Sequence, residues 1–129
     1  MAQLYAILHE AHSFLSYAGL VVGLIMLVIA IYIGLIRHGD VTRAFRRAVY
    51  AVVALMLVES AVGLGIYLMG FRPHEDVHWI YGMGAVLALP FFVYVETTAK
   101  KRPAMGSYIW GFTLMVAIIL RSIMTGSAG

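Results

Sequence analysis

The chain has 129 residues, of which 63 % are hydrophobic and 12 % charged, with a formal net charge of +3 and a mean hydropathy of +0.93. A soluble domain is about half apolar and about a quarter charged, so this composition excludes a water-soluble fold of this size and intrinsic disorder alike, and the solvent is lipid. The absence of cysteine excludes disulfides, Fe–S clusters and thiolate metal sites.

A helix needs about 20 mainly apolar residues to cross a bilayer. In chain order, four segments meet that requirement: 4–36, with its apolar centre from Phe14 onward, then 48–69, 77–98 and 107–124. The first is long for one bilayer, so its opening turns are expected at or above the surface. It has no basic stretch ahead of its apolar run, and is expected to be a helix and not a cleavable signal peptide. The connections 37–47, 70–76 and 99–106 are short, which favours antiparallel neighbours. The expected fold is all-α: an integral-membrane, four-transmembrane antiparallel helix bundle in a single domain.

The charges set the expected orientation. Arg37, Arg43, Arg46 and Arg47 fall in the first connection and Lys100, Lys101 and Arg102 in the third, whereas the second has Arg72 beside Glu75 and Asp76. Basic loops stay in the cytoplasm. Both termini and the second connection are therefore expected outside, in a multi-pass protein of the inner or plasma membrane. The bias argues against a dual-topology transporter. It is a topology signal and not a nucleic-acid patch, so the first expected partner is membrane lipid.

Every histidine except His38 then converges on the outer face. His9 and His12 lie near the start of the first segment with Glu10, and His74 and His78 lead into the third with Glu75 and Asp76. His9, His12, Ser16, Gly19 and Gly23 share a helical face at steps of three and four. His78, Gly82 and Ala85 form a similar stripe. A histidine with a small residue a turn or two later suits a planar macrocycle, because the imidazole reaches the metal and the missing side chain clears the ring edge. The first and third helices can lie diagonally across a four-helix bundle, so His12 and His78 are candidate axial ligands of one iron, with His9 and His74 as alternatives one turn nearer the surface. Ligation by two histidines fills both axial positions and suits electron transfer. The plainer alternatives are glycines that only pack helices and histidines bonded to lipid headgroups. A bare Zn or Cu site among the same histidines and carboxylates is a further alternative.

Glu59 lies deep in the second segment, and a carboxyl there is protonated or paired. Glu59, Gly63 and Ile66 share a face that should look into the bundle. Arg121, in the outer half of the fourth segment, can pair with Glu59 or hold a haem propionate, with Arg72 as a second propionate partner; its plainer role is to snorkel outward. Glu96 is expected to reach the interface beside Lys100. Trp79, Tyr81, Tyr108 and Trp110, near span ends, read as an interfacial aromatic belt. The methionines read as filler or lipid-facing residues.

At the histidine pair the sequence resembles one half of haem A synthase and, more generally, small four-helix membrane b-type cytochromes. The matching residues are His12 in LHEAHSFLSYAGL and His78 in HWIYGMG, with Glu10 close to the first. The resemblance covers most of the chain as architecture and implies haem b, held by His12 and His78, in a protein of electron transport. Glu10 stands two positions before His12, on another face, whereas the synthase has its glutamate one turn before the histidine. The expected function is electron transfer, alone or as a small subunit of a redox complex, with a quinone or another redox protein as partner. Homodimers or larger complexes and a half-length synthase activity are compatible with this reading. The alternatives are a cofactor-free transporter or structural subunit with Glu59 as coupling carboxylate, and a protein binding another metallo-macrocycle, such as a magnesium chlorin.

Overall fold

The computed structural model describes residues 2–73 and 75–126. It contains α1 (Ala2–Ile31), continued by a π-helical turn at Tyr32–Ile36, then α2 (Arg43–Leu68), α3 (His78–Thr97) and α4 (Gly106–Gly126), with no strand among the described residues. All four are long and apolar enough to cross a membrane. With its π turn, α1 runs through 35 residues; at about 1.5 Å per residue this exceeds the roughly 30 Å of a hydrocarbon core.

Local chemistry sets the ends. The first connection reverses after His38, which adopts a left-handed φ of 53°. The Thr42 side chain then accepts the Phe45 N–H at 3.0 Å and caps α2. The cap starts α2 at Arg43, earlier than the apolar run at 48 suggests, so Arg43, Arg46 and Arg47 are helical. At the other end of α2, Gly70 takes a φ of 95°, a conformation that favours glycine, and its N–H donates to the Tyr67 carbonyl at 3.0 Å. Within α3, Pro90 removes one N–H from the helical ladder.

The helices form a closed ring in which α1 packs on α2 and α4, and α3 packs on α4 and, most lightly, on α2. Helices α1 and α3 are therefore diagonal. The half of the bundle at the first and third connections, called inner after the expected orientation, is solid, and the half at the second connection is called outer. Met26, Ala30, Phe45, Val49, Met56, Leu89, Met105, Tyr108, Phe112 and Met115 are among its buried side chains. Close approach of α1 and α4 depends on Gly23, where a Cβ would lie 2.8 Å from Met115 Cε. The outward faces are apolar, with Val21, Leu24, Ile25 and Val28 exposed on α1 and Leu57, Leu87 and Leu114 on the other helices, as a lipid-facing surface requires.

The inner ends of α2, α3 and α4 meet on a carboxylate. Glu96 is fully buried and does not reach the interface beside Lys100. It accepts Arg46 Nε at 3.1 Å and Nη2 at 2.7 Å, Arg102 Nη1 at 2.8 Å and the Tyr108 hydroxyl at 2.7 Å. Tyr108 is accordingly a core residue and not part of the aromatic belt, whereas Trp79 and Trp110 are exposed. Asp40 extends the cluster: the Ala104 N–H reaches its Oδ1 at 2.9 Å and Arg102 Nη1 lies 3.4 Å away. The Ala104 N–H, with Arg102 assisting, holds the Asp40 carboxyl below the usual carboxylate range.

Removing one partner of a buried ionic cluster strands the others. Glu96→Ala should lower stability by about 3 kcal/mol, the low end for a broken buried pair, because Arg46 and Arg102 keep access to water. Thermal unfolding in detergent, with Lys101→Ala as a neutral control, checks this.

Candidate functional site

Where the inner half is packed, the outer half is hollow. A cavity of about 730 Å³ opens between the outer ends of the helices, bordered by Tyr5, His9, His12 and Ser16 of α1, Glu59, Gly63, Ile66 and Tyr67 of α2, Phe71 and Arg72 of the connection, His78, Gly82, Met83 and Val86 of α3, and Ser122 and Ile123 of α4. The volume is typical of a small-molecule or cofactor site.

The diagonal arrangement brings the His12 and His78 rings together, nearly perpendicular to each other, at the wall of this space. Their ring centres are 6.1 Å apart and their planes are inclined by 82°. Metal–imidazole bonds of about 2 Å on either side of one metal place two ring centres roughly 6 Å apart.

The hydrogen bonds of each ring decide which nitrogen is free. His12 Nδ1 lies 3.1 Å from the backbone carbonyl of Glu59 and 3.1 Å from its Oε1. A carbonyl can only accept, so this contact needs a proton on Nδ1, whether the ring is neutral or, beside the Glu59 carboxyl, cationic. On the opposite side His78 Nδ1 lies 3.2 Å from Thr125 Oγ1. The Thr125 hydroxyl also lies 3.1 Å from the Ser122 carbonyl; when it donates there, it can accept from a proton on His78 Nδ1. With Nδ1 protonated and the ring neutral, each imidazole has Nδ1 engaged and Nε2 available, the arrangement metal-ligating histidines show.

Glycine backs both rings. A Cβ on Gly63 would stand 2.7 Å from His12 Cε1, and one on Gly126 would stand 2.7 Å from His78 Nδ1. These glycines let α2 and α4 come against the imidazoles. Gly82 plays a different part. A Cβ there meets nothing within 4 Å, because the residue one turn beyond His78 opens on the cavity.

Glu59 faces the interior, 7 % exposed. The Ser16 hydroxyl lies 2.7 Å from its Oε1 and 2.9 Å from the His12 carbonyl, bridging α1 and α2. Glu59 has no bond to Arg121 in this arrangement. Arg121 is exposed and stands 5.9 Å from the Tyr81 ring, outside the cavity lining. Arg72 lies at the cavity mouth, over the Tyr67 ring at 4.0 Å, with Nη1 donating to the Tyr67 carbonyl at 2.8 Å. Gly19 is below the cavity, where a Cβ would stand 3.0 Å from Met56 Sδ, so its part is helix packing. His9 borders the cavity beside Tyr5, with ring centres 5.6 Å apart, and Tyr5 in turn stacks on Phe71 at 3.8 Å. His74 lies outside the described residues. Among the described residues no three histidine or carboxylate side chains are grouped to hold a metal ion by themselves.

Sequence reasoning missed Thr125 and Gly126, the support of His78. Helical spacing places them one turn beyond Arg121 and Ser122, but only the tertiary fold brings that turn to the start of α3. No protein-family model matches the chain, and no curated protein or solved structure matches it either.

The clearance at Gly63 can be tested without any cofactor. Gly63→Ala forces a methyl group against the His12 ring and should destabilise the protein by about 1–3 kcal/mol, as overpacking does. Gly65→Ala, where a Cβ meets nothing within 4 Å, should be neutral or slightly stabilising through helix propensity. Unfolding midpoints of the two variants in one detergent make the comparison.

Proposed function

We propose that this chain is a haem-b membrane protein that transfers electrons, with His12 and His78 as the two axial ligands of a single haem in the outer-half cavity. The observation that carries the reading is the imidazole pair: two rings from diagonal helices, 6.1 Å between centres, each with Nδ1 in contact with a neighbouring helix, on the wall of a 730 Å³ cavity. Held by His12 and His78, haem would supply a one-electron couple suited to electron transfer. The protein's own residues do the rest. Glu59 and Thr125 orient the rings, Gly63 and Gly126 admit them, and Gly82 leaves room beside His78. Arg72 at the mouth is the partner for a propionate, since a carboxylate is costly in hydrocarbon without a cation. The electron partners are a membrane quinone or another redox protein.

The orientation belongs to the same proposal. The basic residues flank the inner connections, and the cavity mouth is at the opposite end, so the site faces outward with both termini. Single cysteines in this cysteine-free background report it: an impermeant reagent applied to intact cells should modify Glu75→Cys and spare Lys101→Cys, and the reverse pattern would overturn the orientation.

The decisive experiment for the site is the reduced-minus-oxidised spectrum of protein expressed with ample haem. The unmodified protein should give a low-spin b-type spectrum, and His12→Ala or His78→Ala should abolish it or convert it to high spin. A folded, colourless protein overturns the haem reading. Survival of the spectrum in His12→Ala with its loss in His9→Ala moves the ligand by one turn.

A further inference from the structure

The two imidazoles are held by unequal means. His12 lies within α1, and its Nδ1 meets both the carbonyl and a carboxyl oxygen of Glu59, each at 3.1 Å. Ser16 ties that carboxyl oxygen to α1 at 2.7 Å. His78 is the first residue of α3, and the preceding Val77 supplies no side-chain cap. Its Nδ1 meets the Thr125 hydroxyl at 3.2 Å and the Ser122 hydroxyl at the long distance of 3.5 Å, with the Ser122 backbone carbonyl also close to the ring, and it has no carboxyl partner. A carboxyl acceptor on Nδ1–H makes an imidazole a stronger donor to a metal than a hydroxyl does, and of the two rings His12 is the one that has it. His12 is thus the better ligand and the less movable one. Space is unequal too. On the His78 side the missing Cβ of Gly82 leaves nothing within 4 Å, and Met83, Val86 and Ile123 give the adjoining wall an apolar character.

We propose that His12 is the fixed ligand and His78 the exchangeable one, so that the reduced haem admits a neutral diatomic gas, of the carbon monoxide and nitric oxide class, on the His78 side. This rests on the haem reading above. Such an exchange would move no proton and no electron: a neutral His78 imidazole would give up its place to a neutral gas, each offering one lone pair. His78 stays in the Nδ1–H tautomer that Thr125 supports.

Carbon monoxide is the probe. The haem-loaded protein is reduced with dithionite and titrated with the gas while the Soret band is followed. The unmodified protein should convert from its low-spin ferrous spectrum to a carbonyl adduct. Thr125→Val, which removes the Nδ1 partner of His78 at nearly constant volume, should bind the gas roughly fivefold more tightly, the effect of one lost neutral hydrogen bond. Thr125→Ser, which restores the hydroxyl, should return the affinity to that of the unmodified protein. His78→Ala, in which the gas meets no competing imidazole, should bind it most tightly of all. A protein that shows the low-spin haem spectrum yet stays unchanged under the gas in both the unmodified and Thr125→Val forms overturns this proposal and leaves the haem reading standing. So does easier adduct formation in His12→Ala than in His78→Ala. A folded protein with no Soret band overturns the haem reading and this proposal with it.

Discussion

A polar group inside a membrane bundle has no water to fall back on, so it must find its partner within the bundle. That constraint organises this molecule at both ends. At the inner end Glu96 collects Arg46, Arg102 and Tyr108 and so joins three helices at one point. In the outer half Glu59 collects Ser16 and His12 and joins α1 to α2. Thr125 does the corresponding work for His78 between α3 and α4. Among the described residues no buried side-chain nitrogen or oxygen is left without a partner. The difference between the ends lies in what remains unused. The inner cluster closes on itself, whereas the outer bonds engage one nitrogen of each imidazole in rings that border a cavity.

The two halves of the bundle divide the work. The inner half carries the interlocked core, in which Gly23 lets α1 settle against Met115 and Val116 and aromatic residues such as Phe45, Tyr108 and Phe112 fill the centre. A core of that density, together with the Glu96 cluster, allows the outer half to stay open. The light contact between α2 and α3 is the structural expression of that opening. Glycine serves opposite ends in the two halves. At Gly19 and Gly23 the missing side chain is filled by a neighbouring helix, at Gly63 and Gly126 by an imidazole, and at Gly82 by nothing within 4 Å.

Much of this was legible in the sequence, for identifiable reasons. Four apolar runs with short connections specify a four-helix bundle, and helical spacing put Glu59, Gly63 and Ile66 on one inward face. The diagonal relation of α1 and α3 followed from antiparallel order. Glu96 was misread because its three partners come from other parts of the chain: Arg46 is fifty residues away and Tyr108 twelve, and neither distance matches a helical step. Tyr108 was assigned to the interface because residues near span ends usually are; its hydroxyl is drawn inward by a buried acceptor that composition cannot reveal. Gly19 belonged to the same stripe as His12 and Ser16, but the stripe passes from the cavity to the packed core between Ser16 and Gly19. Arg121 is a cation on the outer half of α4 as expected, turned away from Glu59 because His12 and Ser16 already serve that carboxyl.

The central claim is that one chain contributes both imidazoles to one haem. The most direct test is the ratio of haem to protein in the purified, haem-saturated membrane protein, with haem measured as its pyridine complex and protein by amino-acid analysis. The account predicts one haem per chain, whatever the oligomeric state. No bound haem would contradict the claim outright, and one haem per two chains would show that the ligands come from different copies and that the pairing of His12 with His78 within a chain is wrong.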